Sequence, residues 1–168
     1  MSQPLNLCLL TISDSRTPDD DASGDYLAQA FAADGHILFH RAICVDDKYR
    51  IRAIVSPWIA DPDVHGIICT GGTGFTGRDS TPEALMPLLD KQMPGFGELF
   101  RQLSFTDIGS STLQSGAFAG LANAAFVFCL PGSTNACRLA WQEIIRQQLN
   151  SDTRPCNLSL LKARLRER

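Results

Sequence analysis

The sequence predicts a single α/β domain spanning residues 1–168, a three-layer α/β/α sandwich built on a mostly parallel, mixed central sheet. Short apolar runs alternate with segments of helical spacing along the whole chain, a pattern typical of strands joined by crossover helices. The 168 residues suit one domain, because domains usually hold roughly 100–200 residues. Polar loops follow several apolar runs, at the carboxyl ends of strands where such sheets bind ligands.

The first apolar run predicts a buried strand followed by an amphipathic helix. Residues 5–13 are apolar until the run ends in polar side chains, as expected of a strand covered on both faces. Leu27 and Phe31 then share one helical face, with Ser23 as the predicted N-cap and Gly35 as the stop. The chain therefore opens with a strand–helix unit.

The same alternation continues in the next segment. Residues 36–45 and 64–69 are two further strand candidates. Between them, the apolar side chains of residues 51–59 fall on one helical face. Pro57 lies in this helix and is expected to bend or shorten it.

The second half of the chain predicts two more helices and one clear strand. Thr81 and Pro82 are the expected N-cap and first residue of a short helix, and residues 95–105 have the spacing of another. Residues 112–119 are ambiguous, whereas residues 124–130 are strongly apolar and predict a strand.

A long helix and a basic tail complete the chain. The helix is expected over residues 137–149, with Trp141 among its inward side chains. From about residue 150 the chain becomes rich in arginine, including Arg154, Arg166 and Arg168. Such a tail is either a solvated end or a helix that docks a partner.

Charge and hydropathy exclude several classes of protein. The 15 Lys and Arg residues against 18 Asp and Glu residues give a net charge of −3, which disfavours the basic surface that non-specific nucleic-acid binding needs. No apolar stretch reaches the roughly 18 residues of a membrane span. Residues 1–6 also lack the positive charge of a signal peptide. We therefore expect a cytoplasmic protein that binds neither nucleic acid nor membranes.

Cysteine and histidine positions do not indicate a zinc site. Cys8, Cys44, Cys69 and Cys129 each lie in an apolar run, where cysteine behaves as a small hydrophobic residue. The three histidines have neither one another nor a cysteine at the spacing of zinc ligands. The metal to consider is Mg²⁺, which prefers carboxylates.

A glycine-rich loop, residues 70–79, follows the third predicted strand. Its backbone N–H groups and hydroxyls are donors of the kind that a phosphate requires. Asp79 closes the loop, and an acid beside a phosphate site implies a bridging cation, here Mg²⁺. Taken alone, Asp79 also suits a position ahead of a helix. The residues expected to contact the anion are Thr70, Gly71, Gly72, Thr73 and Gly74.

Two other nucleotide-binding patterns fit this loop less well. Gly72, Gly74 and Gly77 satisfy the GxGxxG pattern of dinucleotide-binding folds, but the signals that start a helix come only after the loop. Gly72 and Gly77 also have the spacing of a P-loop, in which Arg78 and Asp79 would replace the required Lys and Ser/Thr. A nicotinamide-dependent oxidoreductase is therefore a distant alternative.

Several long segments are distinctive as whole motifs. They are TGGTGFTGRDSTPEA at residues 70–84, MPGFGELFR at residues 93–101 and LPGS at residues 130–133. In this order they closely resemble the MoaB/MogA family of molybdopterin-binding, molybdenum cofactor biosynthesis proteins. DASGDYL, STLQS, PGSTNACRLAW and TRPCN resemble the MoaB branch, so the similarity extends over nearly the whole chain.

The resemblance implies a function as well as a fold. Family members assemble as homotrimers or hexamers and bind molybdopterin. In the active members ATP and Mg²⁺ adenylylate the terminal phosphate of molybdopterin, which prepares the pterin for molybdate insertion. The alternative is a non-catalytic oligomeric relative that binds molybdopterin or acts as a scaffold.

The resemblance also implies functional residues. Asp79 and Asp46 match the two family aspartates expected to hold Mg²⁺, directly or through water, and to serve catalysis. Asp46 could instead belong to a plain turn. Ser13 and Asp14 could instead form a cap at the end of a strand. The residues expected to contact the substrates besides the glycine loop are Ser13, Asp14, Ser115, Pro131, Gly132 and Ser133.

One residue departs from the family pattern. Arginine usually follows the serine that matches Ser115, but this chain has Gly116. Arginine binds phosphate through two parallel hydrogen bonds, so its absence is expected to weaken the grip on the pterin phosphate. Arg78 and Arg101 are the candidates to supply the missing charge, and Gly116→Arg is expected to tighten pterin binding.

Overall fold

The computed structural model describes residues 3–165 and residue 167, and it contains one six-stranded sheet. The strands are β1 Asn6–Ile12, β2 Ile37–Cys44, β3 Gly66–Thr70, β4 Lys91–Gln92, β5 Phe118–Ala122 and β6 Ala125–Leu130. The α-helices are α1 Ala22–Ala33, α2 Lys48–Ala60, α3 Thr81–Leu85, α4 Pro94–Ile108, α5 Thr134–Ala140, α6 Arg146–Leu149 and α7 Leu158–Leu161.

The sheet is mixed and mostly parallel, as predicted. Its strand order is β2-β1-β3-β6-β5-β4. β2, β1, β3 and β6 pair in parallel, while β5 pairs antiparallel with both β6 and β4. The carboxyl ends of β1, β3 and β6 consequently lie side by side at one edge of the sheet.

Helices cover both faces of the sheet and complete the three predicted layers. On β1, alternate side chains enter opposite cores, so Leu7 and Leu9 face one cluster and Cys8 and Leu10 face the other. The first cluster includes buried residues of α1, α4, α5 and α6, and the second includes those of α2 and α3. The apolar runs of the sequence are thus buried on both faces, as parallel strands require.

A mixed sheet was predicted, but its antiparallel strands, β4 and β5, were not located from the sequence. β5 and β6 form a hairpin in which Ala122 pairs with Ala125. The two intervening residues, Asn123 and Ala124, have φ values of 43° and 68°, as expected of a two-residue turn that matches the strand twist. The ambiguous residues 112–119 divide between a 3₁₀ segment, Gly109–Gln114, and the start of β5.

Two predicted helix caps are wrong. Asp21, not Ser23, caps α1, because its carboxylate accepts a hydrogen bond from the Gly24 N–H. Ser80, not Thr81, precedes α3, because the Thr81 hydroxyl instead donates to the Gly71 carbonyl at 2.9 Å. In both cases a neighbouring residue takes the cap while the predicted side chain ties the helix to a loop.

The ends of α2 and of the chain also refine the prediction. Pro57 lies inside α2 without ending it, since the helix continues to Ala60. In the tail, Leu158 and Leu165 pack on the core of their own domain, and Arg166 and Arg168 lie outside the described residues. Among the helices of the described chain, none has the length and hydrophobicity needed to cross a membrane.

Candidate functional site

A cleft of about 640 Å³ lies at the carboxyl edge of the sheet. The loops that follow β1, β2, β3 and β6 supply its polar wall, and the segment after α4 supplies the facing side. This is the edge at which open α/β sheets bind ligands. Of the residues predicted from the sequence, those that line it are Ser13, Asp14, Asp46, Gly71, Gly72, Thr73, Gly74, Asp79, Ser115, Pro131, Gly132 and Ser133.

Thr70 is the predicted site residue that does not line the cleft. It is fully buried, and its hydroxyl donates a hydrogen bond to the Pro131 carbonyl at 3.0 Å and lies 3.1 Å from the sulfur of Cys137. Thr70 therefore joins the ends of β3 and β6 and holds two walls of the cleft together.

The start of the glycine loop packs too closely on β1 for any side chain. Gly71 and Gly72 have φ values of 105° and 64°, a region that favours glycine. A Cβ at Gly71 would lie 2.0 Å from the carbonyl oxygen of Ile12. Helix α3 begins only at Thr81, after the loop, which separates this geometry from that of dinucleotide-binding folds.

The two candidate metal ligands flank this loop. Oδ2 of Asp46 would lie 2.6 Å from a Cβ at Gly72, and Oδ2 of Asp79 would lie 2.7 Å from a Cβ at Gly74. Each carboxylate therefore occupies the space that a side chain on the loop would need. Both acids lie beside the backbone amides that are expected to bind a phosphate.

Hydrogen bonds fix the orientation of both carboxylates. Oδ1 of Asp46 accepts from the backbone N–H and the hydroxyl of Ser80, at 3.1 and 2.6 Å. Oδ2 of Asp79 accepts from the backbone N–H and the hydroxyl of Thr76, at 2.9 and 2.6 Å. The Thr76 hydroxyl is the main cause that lowers the pKa of Asp79, with backbone amides adding to it, so this carboxyl remains an anion at neutral pH.

The acids suit a magnesium ion that is held jointly with a phosphate. The described residues contain no group of three or more His, Cys, Asp or Glu side chains placed to enclose a metal. Mg²⁺ commonly takes one or two carboxylates and completes its shell with water and substrate phosphates. Asp46 and Asp79 would be its protein ligands here.

Two arginines bring positive charge into the cleft. Arg78, a candidate from the sequence, pairs with Asp14, with 2.6 Å between Nε and Oδ2. Arg16, which was not predicted, donates to the Gly132 carbonyl at 3.0 Å and lies 3.7 Å from the buried Asp21. Arg16 belongs to a polar loop already expected at the site, but its side-chain direction could not be inferred from the loop alone.

Arg101 does not line the cleft, which corrects its candidacy as a substitute for the family arginine. Its guanidinium donates to the carbonyls of Ser115 and Ala117, at 3.2 and 3.0 Å. It lines a separate pocket of about 300 Å³. Arg101 therefore supports the backbone around Gly116 instead of facing the ligand.

Gly116 has no room for the expected arginine. Its N–H donates to the Thr73 carbonyl at 2.8 Å, and a Cβ at this position would lie 2.6 Å from the same oxygen. This close packing argues against the expectation that Gly116→Arg would strengthen phosphate binding, because a side chain here would have to displace the glycine loop.

The cleft also has an apolar side that was not predicted. Ile108 of α4 lines it beside the polar groups and is 48% exposed, whereas Phe100 and Ile12 border it from the core and are buried. Such a combination suits a ligand with a flat ring and an anionic group, since small-molecule sites are mostly apolar with a few convergent polar contacts.

Comparisons with known proteins agree with this geometry. The family model described as "Probable molybdopterin binding domain" matches residues 8–151. The chain is 52% identical over 154 residues to "Molybdenum cofactor biosynthesis protein B" of Escherichia coli K12, covering 92% of this chain and 91% of that protein. The corresponding protein of Staphylococcus carnosus is 42% identical, with 89% of each chain covered.

Solved structures give the same answer. A crystal structure of "Molybdenum cofactor biosynthesis protein B" aligns with a TM-score of 0.86 at 40% identity, over 89% of this chain and 93% of that one. The "tungsten cofactor synthesizing protein MoaB" of Pyrococcus furiosus aligns with a TM-score of 0.77 at 30% identity, over 86% and 92%. The predicted resemblance and fold class are confirmed.

Proposed function

The chain is a molybdenum cofactor biosynthesis protein of the molybdopterin-binding family, and from that premise we propose that it adenylylates molybdopterin with ATP and Mg²⁺. The placement of Asp46 and Asp79 beside Gly72 and Gly74 of the glycine loop is the observation that carries the proposal. A site that only binds the pterin would not need two oriented carboxylates beside its phosphate-binding amides, because they repel an anion.

The proposed reaction is a transfer between two phosphates. An oxygen of the terminal phosphate of molybdopterin attacks the α-phosphorus of ATP. The new bond joins that oxygen to phosphorus, the bond from the α-phosphorus to the bridging oxygen breaks, and pyrophosphate leaves with its electrons. An ionised phosphate needs no general base, so the protein has to position and neutralise the reactants.

Different residues of the cleft would bind the phosphates, the ring and Mg²⁺. The amides and hydroxyls of the glycine loop and of residues 131–133 would bind phosphate oxygens, and Arg16 would offset charge from a fixed position. The exposed side chain of Ile108 would contact the flat pterin or purine ring. Asp46 and Asp79 would hold Mg²⁺, which when bound supplies charge neutralisation for the reacting phosphates.

The assay for this function is direct. The purified protein is incubated anaerobically with molybdopterin, ATP and Mg²⁺, and the adenylylated pterin is measured by mass spectrometry together with released pyrophosphate. We expect both products in equal amounts, and neither when Mg²⁺ is chelated. A wild-type protein that binds molybdopterin but forms no product would contradict the proposal.

A second candidate is a non-catalytic molybdopterin-binding or scaffold protein. The observation that favours it is Gly116, which leaves Ser115 without the arginine typical of the family. Both candidates are consistent with a cytoplasmic homo-oligomer, a trimer or a hexamer, and product formation separates them.

A further inference from the structure

An ion pair spans the cleft between two loops that carry the candidate site. Arg78, in the glycine loop after β3, donates from Nε to Oδ2 of Asp14, in the loop after β1. The side chains are 68% and 38% exposed, and both line the cleft. The pair therefore occupies space and charge that a ligand would use.

The two partners are held very differently. Oδ1 of Asp14 also accepts a hydrogen bond from the backbone N–H of Asp46 at 3.0 Å, so the carboxylate is fixed at two points. Within the part of the chain that the structure describes, Arg78 makes its one side-chain hydrogen bond to Asp14. Its side chain is 68% exposed, so its remaining N–H groups are accessible to a ligand. Arg78 can thus exchange its partner while Asp14 stays in place.

Arg16, in the same cleft, is held in place more firmly than Arg78. It is bound to the Gly132 carbonyl and lies beside the buried Asp21, and its side chain is 29% exposed. This arginine supplies positive charge from a fixed position. Arg78 supplies positive charge that an internal carboxylate neutralises until a ligand arrives.

We propose that Arg78 is a phosphate-binding residue whose guanidinium is paired with Asp14 in the free protein. A substrate phosphate must then displace the Asp14 carboxylate from Arg78. The inference rests on the proposed function for the presence of phosphate ligands, but not on turnover. A phosphate carries more charge than a carboxylate and accepts two parallel hydrogen bonds from a guanidinium. An exposed ion pair is weak and screened by salt, so the exchange favours the ligand.

This exchange would supply the phosphate with a guanidinium, which residue 116 does not provide because it is glycine. The family arginine is missing at residue 116, where no side chain fits. Arg78 supplies a guanidinium to the cleft from the glycine loop, which Gly116 contacts through Thr73. Asp14 would then set how strongly the free site attracts anions other than its substrates.

Two conservative variants separate displacement from a structural role. Asp14→Asn keeps an Oδ1 that can accept from the Asp46 N–H but removes the charge that holds Arg78. Arg78→Gln removes the guanidinium. Arg146→Gln is the matched control, because it removes a 51% exposed arginine from its pair with Asp34, 3.2 Å apart and outside the cleft residues. Dissociation constants for ATP and for molybdopterin are measured separately, by calorimetry without Mg²⁺, so that no metal contribution enters.

The two variants are expected to act in opposite directions. Arg78→Gln weakens phosphate-ligand binding about tenfold, the loss of one charge-assisted contact. Asp14→Asn tightens it about threefold, since no internal carboxylate competes, and Arg146→Gln leaves it unchanged. In the double variant the gain from Asp14→Asn disappears, because there is no Arg78 to release.

Other patterns would overturn the inference. If both variants weaken binding, the ion pair is a structural link between the loops. If Asp14→Asn gives the same gain with and without Arg78, the carboxylate acts by repulsion alone. Failure of ATP and molybdopterin to bind to any variant would also overturn it. Effects confined to one ligand would assign Arg78 to that ligand's phosphate, and opposite effects without any adenylylated product would contradict the proposed function alone.

Discussion

The backbone N–H of Gly116 donates to the carbonyl of Thr73 at 2.8 Å, and that oxygen would lie only 2.6 Å from a Cβ on residue 116. The segment after the 3₁₀ helix Gly109–Gln114 is thereby joined to the glycine loop. Because of this contact, the cleft geometry requires glycine at residue 116. Arg16 and Arg78 are then the candidate phosphate-binding arginines.

Substitution of Gly116 should damage the site. Gly116→Ala places a Cβ 2.6 Å from the Thr73 carbonyl, and we expect a loss of about 1–3 kcal/mol in the free energy of unfolding, typical of overpacking. Gly116→Arg should weaken molybdopterin binding as the loop shifts. Thermal and urea unfolding, with a binding titration, measure both effects.

Gly95→Ala is the matched control. Gly95 lies in the first turn of α4 and has open space around it, so alanine should be neutral or stabilise by up to about 1 kcal/mol. A Gly116→Ala protein as stable as wild type, with unchanged affinity, would contradict the close packing described here.

Loss of either flanking carboxylate should abolish most product formation. Asp79→Asn and Asp46→Asn preserve side-chain shape and an acceptor oxygen but remove the charge expected to hold Mg²⁺. We expect the rate of adenylylation to fall about 100-fold or more, with little change in thermal stability. Initial rates at saturating ATP and several Mg²⁺ concentrations measure this effect.

Asp63→Asn serves as the control for these variants. Asp63 is exposed and lies before β3, at the edge of the sheet opposite the cleft. Its substitution should leave the rate unchanged. Full activity of Asp79→Asn would exclude this residue as a magnesium ligand.

The buried carboxylate of Asp21 should be important for stability. It is fully buried and accepts hydrogen bonds from the Thr11 hydroxyl at 2.7 Å, the Gly24 N–H at 3.0 Å and Arg41 at 2.9 Å. Asp21→Asn leaves Arg41 without a buried partner, and we expect a loss of about 3 kcal/mol in the free energy of unfolding.

Asp25→Asn removes the exposed partner of Arg41 and measures what that ion pair contributes to stability. Asp25 also pairs with Arg41, at 2.7 Å, but is 49% exposed, so its loss should cost about 0.5 kcal/mol. Urea unfolding of the two variants gives the comparison. Equal losses would show that burial does not determine the strength of these contacts.

Acid should destabilise the fold through two histidines. Nδ1 of His36 accepts from the Leu5 N–H at 3.3 Å, and Nδ1 of His65 accepts from the Asn6 N–H at 2.9 Å. Burial lowers the pKa of both imidazoles below 6.5. The unfolded chain therefore binds more protons, and the free energy of unfolding rises with pH.

The pH window follows from the direction of these shifts. The contribution is fully present above about pH 6.5, the unfolded value, and is lost as the pH falls through the folded values. Urea unfolding at pH 7.5 and at pH 5 should show lower stability in acid. The double variant His36→Gln and His65→Gln should reduce the difference, and an unchanged difference would assign it to other groups.

Much of the fold followed from local pattern. The buried strands β1, β3 and β6 are runs of apolar residues long enough to be recognised, and they carry the loops of the site. Strand β4, with only Lys91 and Gln92, has no such pattern. It exists because β5 offers an unpaired edge, which is a tertiary effect that sequence periodicity does not contain.

The site was predictable at the level of loops and less so at the level of side chains. The position of the loops at one sheet edge follows from parallel strands, which brings Asp14, Asp46 and Asp79 to one cleft. Thr70, by contrast, points into the protein because of its position at the end of β3. The closed position of Gly116 depends on a contact with Thr73, 43 residues away in the chain (116 − 73), which no local pattern records.

The last long helix is not a regular α-helix along its whole length. Residues Trp141–Ile145 form a π-helical turn between α5 and α6, and both Trp141 and Leu149 are buried. A regular α-helix turns by about 100° per residue, so one added residue would rotate everything after it out of the core. The wider turn absorbs that residue, and relatives with one residue fewer in this stretch would keep the same buried face on an unbroken α-helix. Deletion of one residue here would therefore be compatible with the same buried face.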